Sequence, residues 1–220
     1  MKILSLTYLG NIEWLCNLLF EDCVIDLYEH YHKQSYRNRC QIMTASGVAA
    51  LSVQVARPDN VLKAPMREVR IDYSKRWQHQ HWNSIVSAYR NAPYFDHYAG
   101  RFEPFYMRRF DFLADLNMGL LEVLLDALGT DVRPRFSEEH IEASAQTEDL
   151  RLTPKAHPTP PAPSFIPDPH FTPQEYYQTF SDRLPFAPNL SAIDLLFCEG
   201  PGAMEVLRGS YGCAPANTHL

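Results

Sequence analysis

The sequence has no surplus of positive charge. Twenty lysines and arginines stand against 26 aspartates and glutamates, a formal charge of -6. Nucleic-acid partners are recognised mainly through neutralised phosphates, which calls for a basic balance. None is expected here. Cysteine pairs are missing too. Cys16, Cys23, Cys40, Cys198 and Cys213 are scattered, odd in number and never spaced as CxxC. That spacing argues against a disulfide framework and against a cysteine zinc site. No stretch approaches the roughly 18–20 apolar residues of a bilayer span. The first fifteen residues also lack the long apolar region and small-residue cleavage site of a secretory leader. No transmembrane segment and a cytoplasmic location are therefore expected. There is no GxGxxG, no GxxxxGKS/T and no GxSxG elbow, so the phosphate loops and nucleophile turn that those motifs build are not predicted.

What is present is an ordinary globular composition. Hydrophobic residues make up 45% of the 220 positions, enough for one full core. Residues 3–9 and the run CVIDL read as short buried strands. Between them Asn11 can cap a helix carrying Ile12, Trp14, Leu15, Leu18 and Leu19. NRCQIMTA and VAALSVQV flank a Ser-Gly turn and predict a hairpin. REVRID, ending at Asp72, is a further candidate strand. From residue 75 to 129 the pattern is helical. One helix carries Trp77, His81 and Ile85 on a single face and stops at Pro93. Another runs through Leu113, Leu116, Leu120 and Leu124 to Gly129. The fold class is thus α/β: a small mixed sheet from the N-terminal third, a central helical region packed on it, and a C-terminal helix that closes the core. Four stretches are expected. They are a mixed core over 1–136, a proline-rich linker or extended loop over 137–172, a returning segment over 173–208 and a flexible tail over 209–220.

The segment EHYHKQSYRNRC concentrates charge ahead of the hairpin. If strand geometry begins by Arg37, then Arg37 and Arg39 share a face, and two forked guanidiniums suit a phosphate or carboxylate. They could equally be strand ends paired with Glu29 or Asp72. His81 lies one turn after Trp77 on an apolar face. It is either a core histidine held by one hydrogen bond or a general base, since imidazole titrates near neutrality. Such a base needs an orienting carboxylate, for which Asp72, Asp96 and Asp194 are available. The His-x-His pair His30/His32 could join His81 at an ion, but no standard zinc spacing is matched and no metal is assigned. Asn117 interrupts an apolar helix face and must find backbone partners or face a ligand. Asp194 sits in a first helical turn, where it complements the dipole or meets Arg37 or Arg39.

Four stretches resemble one family. QSYRNRCQI, WQHQHWNSIVSAYRNAPYFDHY, FLADLN and PNLSAIDLLFCEGP occur in the order found in WbqC-like proteins, and the chain looks like a short member of that family. The resemblance covers about 1–129 and 170–205. It implies a cytoplasmic role in surface polysaccharide (O-antigen or capsule) biosynthesis, with transfer of an acyl or aminoacyl group to an activated amino sugar. The partners implied are that small-molecule sugar and other enzymes of the same assembly. The alternative is an accessory protein that scaffolds them through the proline-rich segment. Under the first reading His81 is the base, Arg37 and Arg39 hold phosphate, and Tyr8, Tyr36, Asn38, Trp77, Asn117 and Asp194 shape the substrate site. No cofactor is specified. Two departures stand out. The opening SLTYLGN keeps Tyr8 and Leu9 but lacks the family's glutamine and prolines. The proline-rich stretch also replaces a second α/β segment of longer members.

Overall fold

A computed structural model describes residues 1–33, 35–56, 64–151 and 168–212. Its first unit is a parallel β-α-β turn of chain. Strand β1 (Lys2–Ser5) leads into helix α1 (Ile12–Phe20), and β2 (Cys23–Asp26) returns alongside β1 in parallel register, Lys2 opposite Cys23 and Ser5 opposite Asp26. Asn11 starts the helix as its side chain predicts, accepting the Trp14 N–H at 3.1 Å. The hairpin forms from β3 (Arg39–Thr44) and β4 (Gly47–Ser52). Its turn is one residue earlier than the Ser-Gly reading. Gly47 opens β4 at φ 103°, a conformation that glycine adopts without a Cβ penalty.

Helix α2 (Trp77–Tyr89) packs on β3 of the hairpin, and α3 (Phe95–Met107) and α4 (Leu113–Ala127) follow it in turn. Gly129 terminates α4 at φ 68°, as its position past the last apolar repeat implies. Strand β5 (Glu148–Asp149) then adds to the free edge of β1, in parallel, giving the order β2-β1-β5. The sheet therefore takes its third strand from within the 137–172 stretch, where the sequence suggests a linker. Most of the proline-dense run itself, and the tail from 213, lie outside the described residues. Helix α5 (Ala192–Glu199) has no solvent face: every residue from Ala192 to Cys198 is buried. Phe197 is its pivot, with ring centroids 5.1–5.8 Å from Phe95, Tyr89 and Phe102. Helix α6 (Ala203–Ser210) packs beside α1 and α5.

Two expected strands come out differently. REVRID holds a 3-10 turn at Met66–Glu68 and only isolated bridges after it. The reason is that its hydrogen bonds alternate between two neighbours. Asp72 N–H donates to the Gln54 carbonyl, while Ile71 N–H donates to the Asp111 carbonyl and Leu113 N–H to the Val69 carbonyl. A ladder needs one partner for several residues in a row. The run 3–9 ends as a strand at Ser5. Leu9 takes φ 49°, and Tyr8 N–H turns aside to the Tyr36 carbonyl at 2.9 Å. Apolar composition marked burial there, not pairing.

Candidate active site

Open parallel sheets bind ligands beyond the carboxyl ends of their strands. Here that edge carries a cavity of about 240 Å³. Its walls come from Ser5 and Thr7 after β1, from Asn11, Glu13 and Asn17 on α1, from Asp149 and Leu150 in and after β5, from Tyr36 and Arg37, and from Asp168. Gly10 is what lets the wall close. A Cβ there would lie 2.5 Å from the Trp14 ring and 2.8 Å from Thr7 Oγ1, well inside contact distance.

The lining is acidic. Glu13, Glu148, Asp149 and Asp168 all contribute, against the single lining cation Arg37. That cation is already committed. Its Nε donates to Glu29 Oε1 at 2.9 Å, its Nη2 donates to Glu29 Oε2, and the same nitrogen reaches the Arg151 carbonyl at 2.9 Å. Asp149 is likewise matched by Arg151, which bonds both its oxygens at 2.7–2.8 Å and reaches Asp26 at 2.5 Å. Asp168 meets Lys2 at 3.3 Å. Burial pushes its carboxyl up, but the His170 N–H, the Asn17 amide and the Lys2 ammonium outweigh that and hold it below the ordinary range.

Among the described residues Glu13 forms no ion pair, and the Lys2 charge reaches it only weakly. Its Oε1 accepts the Asp168 N–H at 3.1 Å and its Oε2 accepts from Asn189 Nδ2 at 2.9 Å. Asn189 holds the other end as well, accepting the Glu13 N–H at 2.9 Å from a left-handed backbone at φ 59°. Desolvation outweighs these bonds and raises the carboxyl to about 7. Thr7 Oγ1, also in the wall and buried, has no hydrogen-bond partner among the described residues. The arrangement offers a positioned carboxyl that exchanges a proton at neutral pH, an acid-lined hollow and an unused hydroxyl.

Of the residues singled out from the sequence, Tyr36 and Arg37 line this cavity. The two-arginine anion face does not form. Arg37 precedes β3, so strand alternation does not apply to it, and its side chain turns inward to Glu29. Arg39, at the head of β3, donates from Nε to Ser52 Oγ at 2.8 Å. His81 is buried and lines neither this cavity nor the groove along α4. Its Nδ1 is 3.0 Å from the Tyr8 hydroxyl, which also meets the Tyr106 hydroxyl at 2.9 Å. Burial drives the imidazole down to about 4, against an opposing bond to the Ser52 backbone. It is held neutral, and no carboxylate among the described residues orients it. Trp77 packs edge-on against it at 5.1 Å.

Asn117 Nδ2 donates to the Arg37 carbonyl at 2.7 Å, and Asn38 Nδ2 to the Val53 carbonyl at 2.9 Å. Asp194 meets neither arginine. It accepts from the Tyr89 and Tyr176 hydroxyls at 2.6 Å each, and burial raises it to about 6. Ser191, at the N-cap position of α5, gives its hydroxyl to the Leu9 carbonyl instead. Trp77, His81, Tyr8, Tyr36, Arg37 and Asn117 follow one another in contact from α2 to the cavity edge and on to α4. Among the described residues no group of three His, Cys, Asp or Glu is placed to hold a metal ion. Replacing Tyr8 by Phe is expected to cost about 1–3 kcal/mol in urea denaturation, because His81 Nδ1 and the Tyr106 hydroxyl lose their buried partner together.

The WbqC-like protein family model matches residues 21–157. The chain belongs to that family. The matched span contains Arg37, Asn38, Trp77, His81 and Asn117, and leaves Tyr8, Glu13, Asp168 and Asp194 outside it. An uncharacterized protein of Mycobacterium tuberculosis is 28% identical over 198 residues, covering 81% of this chain and 84% of that protein. No solved structure matches the chain. Glu13, Thr7, Asn11 and Asp168 are the site residues that sequence reasoning passed over in this WbqC-like protein. The available signal was position: polar residues in the loop and first turn that follow the first strand of a parallel unit.

Proposed function

We propose that this WbqC-like protein transfers an acyl or aminoacyl group to the amine of an activated amino sugar in bacterial surface polysaccharide assembly. The observation that carries the reading is Glu13, a positioned carboxyl near neutral pKa in an acid-lined cavity at the carboxyl edge of the sheet. An amine is protonated and unreactive until it loses a proton. The acidic lining favours the cationic form on arrival, and Glu13 takes the proton. The freed nitrogen attacks the donor's carbonyl carbon, the new C–N bond forms, and the bond to the leaving group breaks. The second amine proton passes to that leaving group. The cavity is below the roughly 300–1,000 Å³ of pockets for drug-sized ligands. It takes one sugar ring, and the nucleotide or lipid phosphate stays outside. Tyr36 and Thr7 are the hydroxyls offered to the ring, and His81 and Tyr8 brace the wall from behind.

The test is a thermal-shift screen with UDP-, dTDP- and GDP-linked amino sugars, alone and with acyl-CoAs, followed by mass spectrometry of any product. A ligand at 100 times its Kd stabilises by about 2.7 kcal/mol. An amino sugar is expected to shift the melt and its non-amino counterpart not. Product formation is expected to fall at least about a hundredfold in Glu13→Gln. A panel without a shift or product from well-folded protein would overturn the transferase and leave the non-catalytic accessory role.

A further inference from the structure

The chain is acidic overall, yet five of its cations, Arg70, Lys75, Arg76, Arg108 and Arg109, stand exposed along one seam. Tyr73 and Phe110 tie two loops together: the Tyr73 hydroxyl accepts the Phe110 N–H at 2.8 Å and meets its carbonyl at 3.1 Å. Arg70 and Phe112 bridge beside them. On this seam three guanidiniums sit over aromatic rings. Arg70 is 4.6 Å from the Phe112 centroid, Arg109 is 5.0 Å from Tyr73, and Arg108 is 4.9 and 4.6 Å from Phe105 and Phe110. Lys75 and Arg76 follow at the start of α2. All five cations are exposed, and none has an ion pair with a described residue. Asp72 and Asp111 are the carboxylates on the same seam. Asp72 is turned to the Ser74 N–H and hydroxyl at 2.8–2.9 Å.

Two features run against a purely structural role. Lys75 and Arg76 stand at the positive end of α2, whose N-cap makes no side-chain bond, where cations are disfavoured. Met107, beside Arg108, is 63% exposed, the most exposed of the large hydrophobic residues described. Clustered cations, half-buried aromatic rings and a projecting apolar side chain match the chemistry of an anionic bilayer surface. We propose that this face docks the protein reversibly on membranes rich in anionic lipid headgroups. Rings and the methionine reach the headgroup boundary while the cations meet lipid phosphates. No helix among the described residues is long and apolar enough to cross a bilayer, so the contact is peripheral.

The experiment is co-sedimentation of the full chain with phosphatidylcholine vesicles, with and without phosphatidylglycerol, at low and high salt. Binding is expected only with phosphatidylglycerol and is expected to be lost at high salt. Neutralising two of the cations, either as Lys75→Gln with Arg76→Gln or as Arg108→Gln with Arg109→Gln, should weaken partitioning about thirtyfold. The first pair stacks on no ring and opposes the α2 dipole, so its melting temperature is expected to stay at or slightly above the parent value, and that control excludes misfolding. Absence of binding to anionic vesicles would overturn the proposal. So would equal binding to neutral vesicles, or binding unchanged in both double variants. Retention on a single-stranded oligonucleotide without vesicle binding would overturn it in favour of a polyanion site.

Discussion

Replacing Arg37 by alanine is expected to cost about 3–5 kcal/mol of folding stability, read as a lower midpoint in urea denaturation. The side chain is 3% exposed, and it satisfies both Glu29 oxygens and the Arg151 carbonyl. Glu29 is itself 5% exposed in its side chain. Desolvation already raises its carboxyl, with the Arg37 charge and hydrogen bonds pulling the other way. Without Arg37 the desolvation is unopposed by its partner, and the site must bury a bare charge or take up a proton. The test of that cause is the double variant Arg37→Met with Glu29→Leu. It removes both charges at similar volume and is expected to recover most of the loss. A double variant as unstable as the single one would locate the cost in the backbone bond to Arg151 instead. Because Arg37 also lines the cavity, the single variant is expected to lose ligand shifts along with stability.

The second large effect is a pH dependence. Glu13 rises from the ordinary 4.5 to about 7 in the folded chain. Between those values the folded state holds the proton more tightly than the unfolded state. Stability contributed by the neutral carboxyl is present below about pH 4.5 and is lost as pH rises through 7. The span corresponds to roughly 3 kcal/mol. Asp194, raised to about 6, acts in the same direction between about pH 4 and 6. His81 acts oppositely: lowered to about 4, it adds stability as pH rises from 4 to 6.5. Subtracting the curve of Glu13→Gln from that of the parent cancels the last two. The difference is expected to run from the parent being the more stable near pH 4.5 to the variant gaining by about pH 8. A buried ionised carboxylate costs more than a neutral amide. Parallel curves would mean that Glu13 titrates normally and would remove the proton acceptor from the proposed mechanism. The same carboxyl should set an acidic limb with apparent pKa about 7 in the rate of transfer.

Stability and chemistry meet at this residue. A group held uncharged against its tendency in water is a cost to the fold, and such costs concentrate where a proton must move. The paired carboxylates nearby, Asp149 on Arg151 and Asp168 on Lys2, show the ordinary way of burying an acid. Among the described residues, Glu13 is the lining acid whose hydrogen bonds come from neutral donors only.

Period and punctuation made much of this molecule readable from the sequence. The cap at Asn11, the hairpin, the helix from Trp77 and the stop at Gly129 are local: each depends on a few neighbours and the geometry of one element. Membership of the WbqC-like family was legible in short motifs for a related reason, because those residues form the packed wall joining α2, the 35–38 loop and α4. The site was not legible, since it is made by distance in sequence. Glu13 reads as an ordinary first-turn acid until Asn189 and Asp168 fold over it. Arg37 reads either as an anion ligand or as a partner of Glu29 or Asp72, and only the fold shows that Glu29 closes on it. The sheet's third strand is two residues long and carries no periodicity. By itself the sequence determined the elements that carry a clear period or cap, but not β5 or the course of residues 67–72. Only the tertiary structure decided which charges are matched and which are left facing a cavity. Pairing and desolvation depend on what lies across space, and no local pattern encodes that.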